Sequence, residues 1–501
     1  MPFSFCGTKR ELTDTVMARC FTVGILALLV GLAGSLPTFG HAFGARYQLT
    51  VPLYYYVLGA GLTVGLSFVV AAFFLKDNAQ NTKPFRVKLL EYGDENTAAP
   101  PIVYRISSIA GVFVFTVILV AGFIGEQSPT RNIAPVFIWS IWWVGIVYVQ
   151  ALLGDVWRLV NPWAGIFNTV VQTFKCEQYI GRFRYPAWLC RWPAFLSFWV
   201  FAWFEQVAPF AEVPASLALL VSIYSLVTWV GMAAFGRDLW LERAEIFSIL
   251  FGFLARIAPT VAKGGTLWLR PLGVGLITKA PLSRASTALI LLLLASVTFD
   301  GFRDTQVWAD SIEWALSRTW LFASLFWIQQ QGVDLLLVLQ TAGLILVPLL
   351  FFLSYWFIAK ISSLLTGGGW DARQFAGQFV LTLLPIALAY HIAHYLAFLL
   401  LAGQLAVPLL SDPFHMGWDL FGTYGYQLDV GIIGVGTIWW VSMAAVVTGH
   451  IYGVYTAHAM AVEVVPSRKK AIVGQLPLIL LMVGYTMASL WILAQPIIDK
   501  N

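Results

Sequence analysis

Apolar segments of about twenty residues recur along this chain, and they constrain its fold more than any other feature. A helix that rises 1.5 Å per residue needs roughly 20 residues to cross about 30 Å of hydrocarbon. Eleven segments have suitable length and hydropathy: 18–37, 51–75, 104–125, 132–154, 192–210, 213–235, 285–300, 334–358, 375–405, 432–460 and 472–494. The sequence therefore predicts an all-α, polytopic integral membrane helical bundle of about eleven spans, a single transmembrane domain over residues 1–501.

The composition supports this prediction. Hydrophobic residues make up 59% of the chain and charged residues 11%, whereas soluble domains carry about a quarter charged residues. Many of the 22 Trp and 37 Phe lie where apolar segments meet polar ones, as aromatic rings do at a membrane surface. The net charge of +5 does not indicate nucleic-acid binding, because the basic residues follow the predicted spans. The expected partner is the lipid bilayer.

The positions of Lys and Arg predict an orientation. With the N-terminus inside, the inner loops are 76–105, 155–191, 236–284, 359–374 and 461–471. These loops and the N-terminal tail contain all but five of the 30 Lys and Arg residues. Such an asymmetry is typical of cytoplasmic loops. It predicts a multi-pass protein of the cytoplasmic membrane whose N-terminus is cytoplasmic if uncleaved and whose C-terminus is external.

Two segments allow more than one interpretation. Residues 1–42 combine a basic tail, an apolar core and small residues, so they form either the first anchor or a signal peptide whose cleavage leaves ten spans. Residues 245–262 are apolar enough for a further span, but a crossing there would export Lys263, Arg270 and Lys279. We therefore expect an interfacial or re-entrant helix, which is allowed where protein buries its backbone.

Histidine is the residue type that indicates a functional site. Four of the six histidines lie in two neighbouring predicted spans: His391 and His394 in one, His450 and His458 in the other. Each pair shares a helix face by spacing, and His391 and His450 lie near mid-depth. Because intramembrane imidazoles are costly and commonly bind metals or haem, the four predict a site for a divalent metal of unknown identity or for haem. The alternative is that each imidazole only hydrogen-bonds a neighbouring helix.

Two glycines beside His450 carry the same ambiguity. Gly449 and Gly453 would let a bulky group approach the imidazole, or they are ordinary small-residue contacts between helices. In "FWVFAWFEQVAPF", Glu205 lies near the outer end of its predicted span, and we expect it to be solvated.

The loop between the histidine spans is acidic and contains no Lys or Arg. It includes Asp412, His415 and Asp419 and lies on the external side of the predicted topology. It is either a lid through which substrate reaches the site or an ordinary anionic external loop. No phosphate-binding glycine loop, no other cofactor-binding motif and no G-x-S-x-G elbow is present, so the catalytic residues stay unassigned.

Several short motifs carry a resemblance to a known family. The segments "GDVWRLVNPW", "AHYLAFLLLAGQ", "SDPFHMGWDLFGT" and "GHIYGVYTAHAMA", with the region from His41 to Leu75, resemble the bacterial multi-pass membrane family of fenitrothion hydrolases. The resemblance covers most of the chain. It implies an enzyme of the bacterial inner membrane that hydrolyses organophosphate triesters, acting on a lipophilic small molecule together with a second membrane protein subunit.

The chain also departs from the pattern of that family. Relatives read His-Ala-His-Gly where this chain has Phe43 after Ala42, and Ala-His-Asp where it has Ala459 after His458. The first change weakens a metal site at a mature N-terminus, and the second weakens a catalytic carboxylate beside His458.

Three functional hypotheses follow. In a metal-assisted hydrolase, a metal bound by His391, His394 and His450 would lower the pKa of a bound water towards about 7 and polarise the phosphoryl oxygen. In a haem- or copper-binding electron-transfer subunit, histidines on facing helices would be the ligands. A small-molecule transporter is the third hypothesis.

Overall fold

The structure, a computed structural model, describes residues 48–74, 85–93, 99–367, 370–465 and 467–497. The predicted first segment, 18–37, and the choice between anchor and signal peptide for 1–42 therefore lie outside the described residues.

The described chain is mainly helical. In chain order the helices are α1 (Leu53–Phe74), α2 (Pro101–Ile124), α3 (Ile133–Leu153), α4 (Trp157–Val160), α5 (Pro162–Phe174), α6 (Trp192–Gln206), α7 (Pro214–Phe235), α8 (Arg237–Arg243), α9 (Ile246–Leu254), α10 (Arg284–Arg303), α11 (Gln306–Ser317), α12 (Thr319–Gln330), α13 (Leu335–Leu365), α14 (Ala372–Phe379), α15 (Leu384–Ala402), α16 (Ala406–Ser411), α17 (Val435–Val464) and α18 (Arg468–Ile497).

Within the described ranges, nine helical stretches are long and apolar enough to cross a membrane: α1, α2, α3, α7, α10, α13, the stretch from α14 to α16, α17 and α18. Each coincides with a predicted segment. The predicted segment 192–210 is the exception, because its helix α6 has 15 residues and a length of only about 22 Å.

Helix α10 forms the centre of the bundle. In its apolar part, 83% of the residues are buried, and Leu289, Ile290 and Phe299 are fully enclosed. Helices α6, α13 and α15 pack around it. A helix that is apolar on all sides is buried on all sides, so a charged residue near the end of α10 is held inside the protein.

Other helices expose broad apolar faces. Only 17% of the apolar part of α2 is buried, and Leu62, Phe73 and Phe113 are each more than three-fifths exposed. Soluble monomeric proteins rarely expose apolar surface on this scale to water. These faces therefore fit contact with lipid.

A small β-sheet joins two connections that were predicted to be on the same side. Strand β1 (Val87–Glu91) pairs antiparallel with β3 (Thr266–Leu269), which also pairs with β2 (Thr260–Lys263). Arg468 lies on this face too, because its guanidinium donates to the carbonyl of Ala72, 2.7 Å away. The positive-inside assignment requires these connections to share one side of the bundle. The pairing of β1 with β3 brings them together on one side.

The segment 245–262 contains one short helix. Only Ile246–Leu254 is helical, and the chain then enters the hairpin of β2 and β3. The Glu245 carboxylate caps this helix by accepting the N–H groups of Phe247 and Ser248, and burial raises the pKa of Glu245. Phe251 and Leu254 are buried by surrounding protein, which is the condition for such a helix at partial depth.

Candidate functional site

A carboxylate lies at the centre of the most polar region inside the bundle. Asp300 is in the last turn of α10, and its side chain is 12% exposed. One oxygen accepts the Tyr395 hydroxyl at 2.6 Å and lies 2.9 Å from His394 Nε2. The other oxygen pairs with the Arg303 guanidinium at 2.5 Å. Both oxygens of this carboxylate therefore contact protein groups.

A second carboxylate reaches the same tyrosine from another helix. Glu205, near the end of α6, accepts the indole N–H of Trp143 at 2.5 Å and lies 3.3 Å from the Tyr395 hydroxyl. The expectation that Glu205 is solvated is therefore wrong, because the packing of α3 and α15 against α6 turns its side chain into the bundle. We call Glu205, Asp300, Arg303, His394 and Tyr395 the acid–base cluster.

The tyrosine between the two carboxylates limits the hydrogen bonds that can exist together. A hydroxyl has one proton and donates to one acceptor at a time. When Tyr395 donates to Asp300, its contact with Glu205 is a hydrogen bond only if Glu205 carries a proton and donates. The arrangement is thus a chain along which one proton can be shared from Glu205 through Tyr395 to Asp300.

The local helix geometry directs Trp143 towards the cluster. Residues Val136–Gly145 of α3 form a π-helical segment, a wider turn that is rare and frequent at functional sites. Trp143 is 2% exposed, and its ring packs edge-on against that of Phe201, with centroids 4.6 Å apart. Its indole N–H is therefore fixed against Glu205.

His391 and His394 share a helix but contact different neighbours. The imidazole of His394 pairs with Asp300 on α10, whereas that of His391 packs edge-on against the rings of Trp143 and Tyr148 on α3. His391 also lines a cavity of about 10 Å³, at the lower limit of space for one water molecule. Its Nε2 has no hydrogen-bond partner among the described residues.

The two histidines of α17 lie in other environments. The Nδ1 of His450 donates to the Val446 carbonyl at 2.8 Å, and the ring lies beside Tyr485. Its Nε2 has no hydrogen-bond partner in the described parts of the chain. The ring of His458 packs edge-on against Phe68, and its Nδ1 lies 3.4 Å from the Gln475 amide nitrogen.

These positions bear on the predicted metal or haem site. Over the described ranges, no three His, Cys, Asp or Glu side chains are arranged to hold a metal ion. The four histidines instead contact separate neighbours: His391 contacts Trp143, His394 contacts Asp300, His450 contacts Tyr485 and His458 contacts Phe68. The Nε2 atoms of His391 and His450 are buried and have no hydrogen-bond partner among the described residues. A ligand at either position therefore stays a prediction.

The glycines beside His450 have a clear role. A Cβ at Gly449 would lie 2.3 Å from the Cβ of Ala389, and one at Gly453 would lie 2.9 Å from the carbonyl oxygen of Thr382. Both glycines thus let α17 approach closely the chain around Thr382 and Ala389. The contact between helices accounts for them, without a bound group.

The acidic residues of the loop between α16 and α17 organise the loop itself. The Asp412 carboxylate accepts the backbone N–H groups of Met416, Gly417 and Trp418 at 2.7 to 3.0 Å, and Asp412 is 2% exposed. Asp419 accepts the Ser411 hydroxyl and a backbone N–H. His415 is partly exposed and has a left-handed backbone, with a φ of 56°. A role for this loop in substrate access stays a prediction.

Asp300, Arg303 and Tyr395 were not among the residues predicted from the sequence. A signal was present, because "TFDGFR" places an acid and a base three residues apart at the end of an apolar segment. Comparison of the chain with models of known protein families, with curated proteins and with solved structures gave no match.

Proposed function

We propose that this protein couples proton movement to the transport of a small molecule across a bacterial cytoplasmic membrane, with the acid–base cluster as its proton-binding site. The observation that carries the proposal is the Tyr395 hydroxyl between carboxylates of two different helices. Ionisable residues inside a membrane bundle are costly, and chains of Asp, Glu and His form the proton relays of pumps and transporters.

The charge of the cluster supports proton binding. With both carboxylates ionised, Arg303 protonated and His394 neutral, the cluster carries one negative charge in excess. A net charge is unfavourable in a largely apolar bundle. One bound proton on Glu205 removes the excess, so loading and release of that proton switch the cluster between neutral and charged states.

The topology completes the proposal. We place the face that bears the β-sheet in the cytoplasm, because the inner loops hold most of the basic residues. The acid–base cluster then lies in the outer half of the bundle, since α10 runs from Arg284 on the inner side to Arg303 on the outer side.

Replacing Tyr395 with phenylalanine tests the relay. The purified protein is placed in liposomes that contain a pH-sensitive dye, the outside is acidified, and proton uptake is recorded with representatives of several classes of small molecule. Tyr395→Phe removes the hydroxyl that joins the carboxylates. We expect substrate-dependent uptake to fall by about 100-fold, the lower range for a lost proton-transfer group.

The chain offers a matched control in Tyr390, on the same helix. Its buried hydroxyl has no hydrogen-bond partner among the described residues, so Tyr390→Phe should leave uptake unchanged. Normal uptake in the Tyr395→Phe variant, or no protein-dependent uptake with any class of molecule, would contradict proton-coupled transport.

A second candidate is hydrolysis of a lipophilic organophosphate triester, as the sequence resemblance implies. The observation that favours it is the pair of Asp300 and His394, because a carboxylate that accepts from one imidazole nitrogen orients the other as a general base. The absence of a side chain at Gly301 leaves a narrow approach to His394 Nδ1, since a Cβ there would lie 3.6 Å from Nδ1 and 2.7 Å from the Tyr390 hydroxyl. Water would attack phosphorus, Nδ1 would take its proton, and the aryl oxide would leave.

Release of nitrophenolate from an aryl phosphorothioate by the purified protein tests the hydrolase. His394→Ala should abolish release, whereas His415→Ala in the outer loop should retain most of it. Metal content and the optical spectrum of the same sample test the predicted ligands separately. A stoichiometric metal or haem that His450→Ala removes would establish that site. No nitrophenolate release from the wild type would eliminate this second candidate.

A further inference from the structure

An open groove of about 260 Å³ lies between α10, α13 and α14, away from the acid–base cluster. Its apolar side consists of Leu291, Phe352, Tyr355 and Trp356. Its polar side is basic, because Arg284 opens α10 and Arg373 lies in the first turn of α14. The groove therefore combines an aromatic and aliphatic wall with two guanidinium groups.

The cations at this groove are not neutralised. Arg284, Arg373 and the nearby Lys360 are exposed, and in the described parts of the chain none of them forms an ion pair. The Lys360 ammonium lies 5.5 Å from the centre of the Trp356 ring. The nearest acid in sequence, Asp371, is engaged as the cap of α14 by accepting the N–H of Gln374 at 2.7 Å. The three cations are therefore free to pair with an anion at this groove.

Close backbone contacts fix the floor of the groove. The Tyr355 hydroxyl donates to the carbonyl of Ala376 at 3.0 Å and ties α13 to α14. The N–H of Leu282 donates to the carbonyl of Gly377 at 2.9 Å, and a Cβ at Gly377 would lie 2.4 Å from the carbonyl oxygen of Leu282. The two guanidinium groups are therefore carried on elements held together independently of any ligand.

We propose that this groove binds an anionic phospholipid, with the phosphate on Arg284 and Arg373 and the start of an acyl chain along Phe352 and Trp356. Basic pockets between helices on the cytoplasmic side of membrane proteins are suited to such head groups. The lipid is favoured over a soluble anion because only 17% of the residues in the apolar part of α13 are fully buried. The groove is also smaller than the roughly 300–1,000 Å³ of pockets that enclose a whole ligand, so the chains stay in the bilayer.

The test measures thermal unfolding of the full-length protein in neutral detergent. Three additions are compared: phosphatidylglycerol, phosphatidylcholine of the same chain length, and inorganic phosphate. We expect phosphatidylglycerol alone to raise the midpoint temperature of the wild type. The double variant Arg284→Gln, Arg373→Gln should lose most of that rise. Arg184→Gln, which removes an exposed arginine from another inner loop, should retain it.

Native mass spectrometry of the same samples provides a second measurement if the double variant is unstable. The wild type and a charge-preserving variant, Arg284→Lys with Arg373→Lys, should carry bound phosphatidylglycerol, and Trp356→Ala should carry less. Equal stabilisation of the wild type by phosphatidylcholine would overturn the proposal. So would stabilisation by inorganic phosphate alone, which would indicate a soluble anion, or undiminished lipid binding by the double glutamine variant.

Discussion

Asp300→Asn should abolish proton uptake and lower the free energy of unfolding by about 3 kcal/mol. Asparagine has nearly the same shape but cannot balance the charge of Arg303 or accept from Tyr395, His394 and Arg303 together. Removing one partner of a buried ion pair costs about 3–5 kcal/mol, and partial exposure of this pair places it at the lower end. Uptake into liposomes and unfolding in denaturing detergent measure the two effects.

The double variant Asp300→Asn, Arg303→Gln separates function from stability. It removes both charges, so it should recover much of the lost stability because interacting residues are not additive. It should not recover uptake, because the carboxylate that accepts the Tyr395 hydroxyl is still absent. Asp310→Asn, an exposed acid on α11, should change stability by less than about 0.5 kcal/mol. An Asp300→Asn protein with normal uptake would remove Asp300 from the proton-binding site.

Gly449→Val should destabilise the protein by at least about 3 kcal/mol, the upper end for overpacking a core. Its first side-chain atom would lie 2.3 Å from the Cβ of Ala389 and 2.7 Å from the carbonyl oxygen of Pro385. The second neighbour is backbone, so α15 and α17 must separate. Because α15 carries both His394 and Tyr395, proton uptake should fall as well. Unfolding in denaturing detergent measures the loss.

Gly484→Val is the matched control for that substitution. Gly484 lies in α18, where a Cβ would meet nothing within 4 Å, and it is exposed. The same valine should therefore change stability by no more than about 0.5 kcal/mol. If the two variants had equal stability, the tight approach at Gly449 would not be a determinant of the fold.

The long helices were predictable from the sequence because crossing a bilayer imposes a length and an apolar composition that are local properties of the chain. The sheet was not, because five residues at Val87–Glu91 find partners far away in sequence at Thr266–Leu269. Helix α6 was expected to be a full span because the apolar residues continue past Gln206, where the helix ends. Helix ends depend on packing that a hydropathy profile does not contain.

The candidate site was predictable only in part. Histidine spacing placed His391 and His394 on one face, but residues three apart still differ by about 60° around a helix. In a helix with neighbours on several sides, that angle directs one imidazole to Trp143 and the other to Asp300. Asp300 itself was taken as the boundary of an apolar segment. Only the packing of α6 and α15 around α10 shows that this boundary is inside the protein.

The β-sheet imposes an order on biosynthesis. Strand β1 leaves the ribosome long before its partner β3, and the membrane-length helices α2, α3 and α7 are made between them. Its N–H and C=O groups must stay hydrated during that interval, and the exposure of all five residues from Val87 to Glu91 permits this. A nascent chain that stops before Thr260 contains neither β2 nor β3. The connection after α1 can therefore pair with β3 only after roughly half of the protein has been inserted.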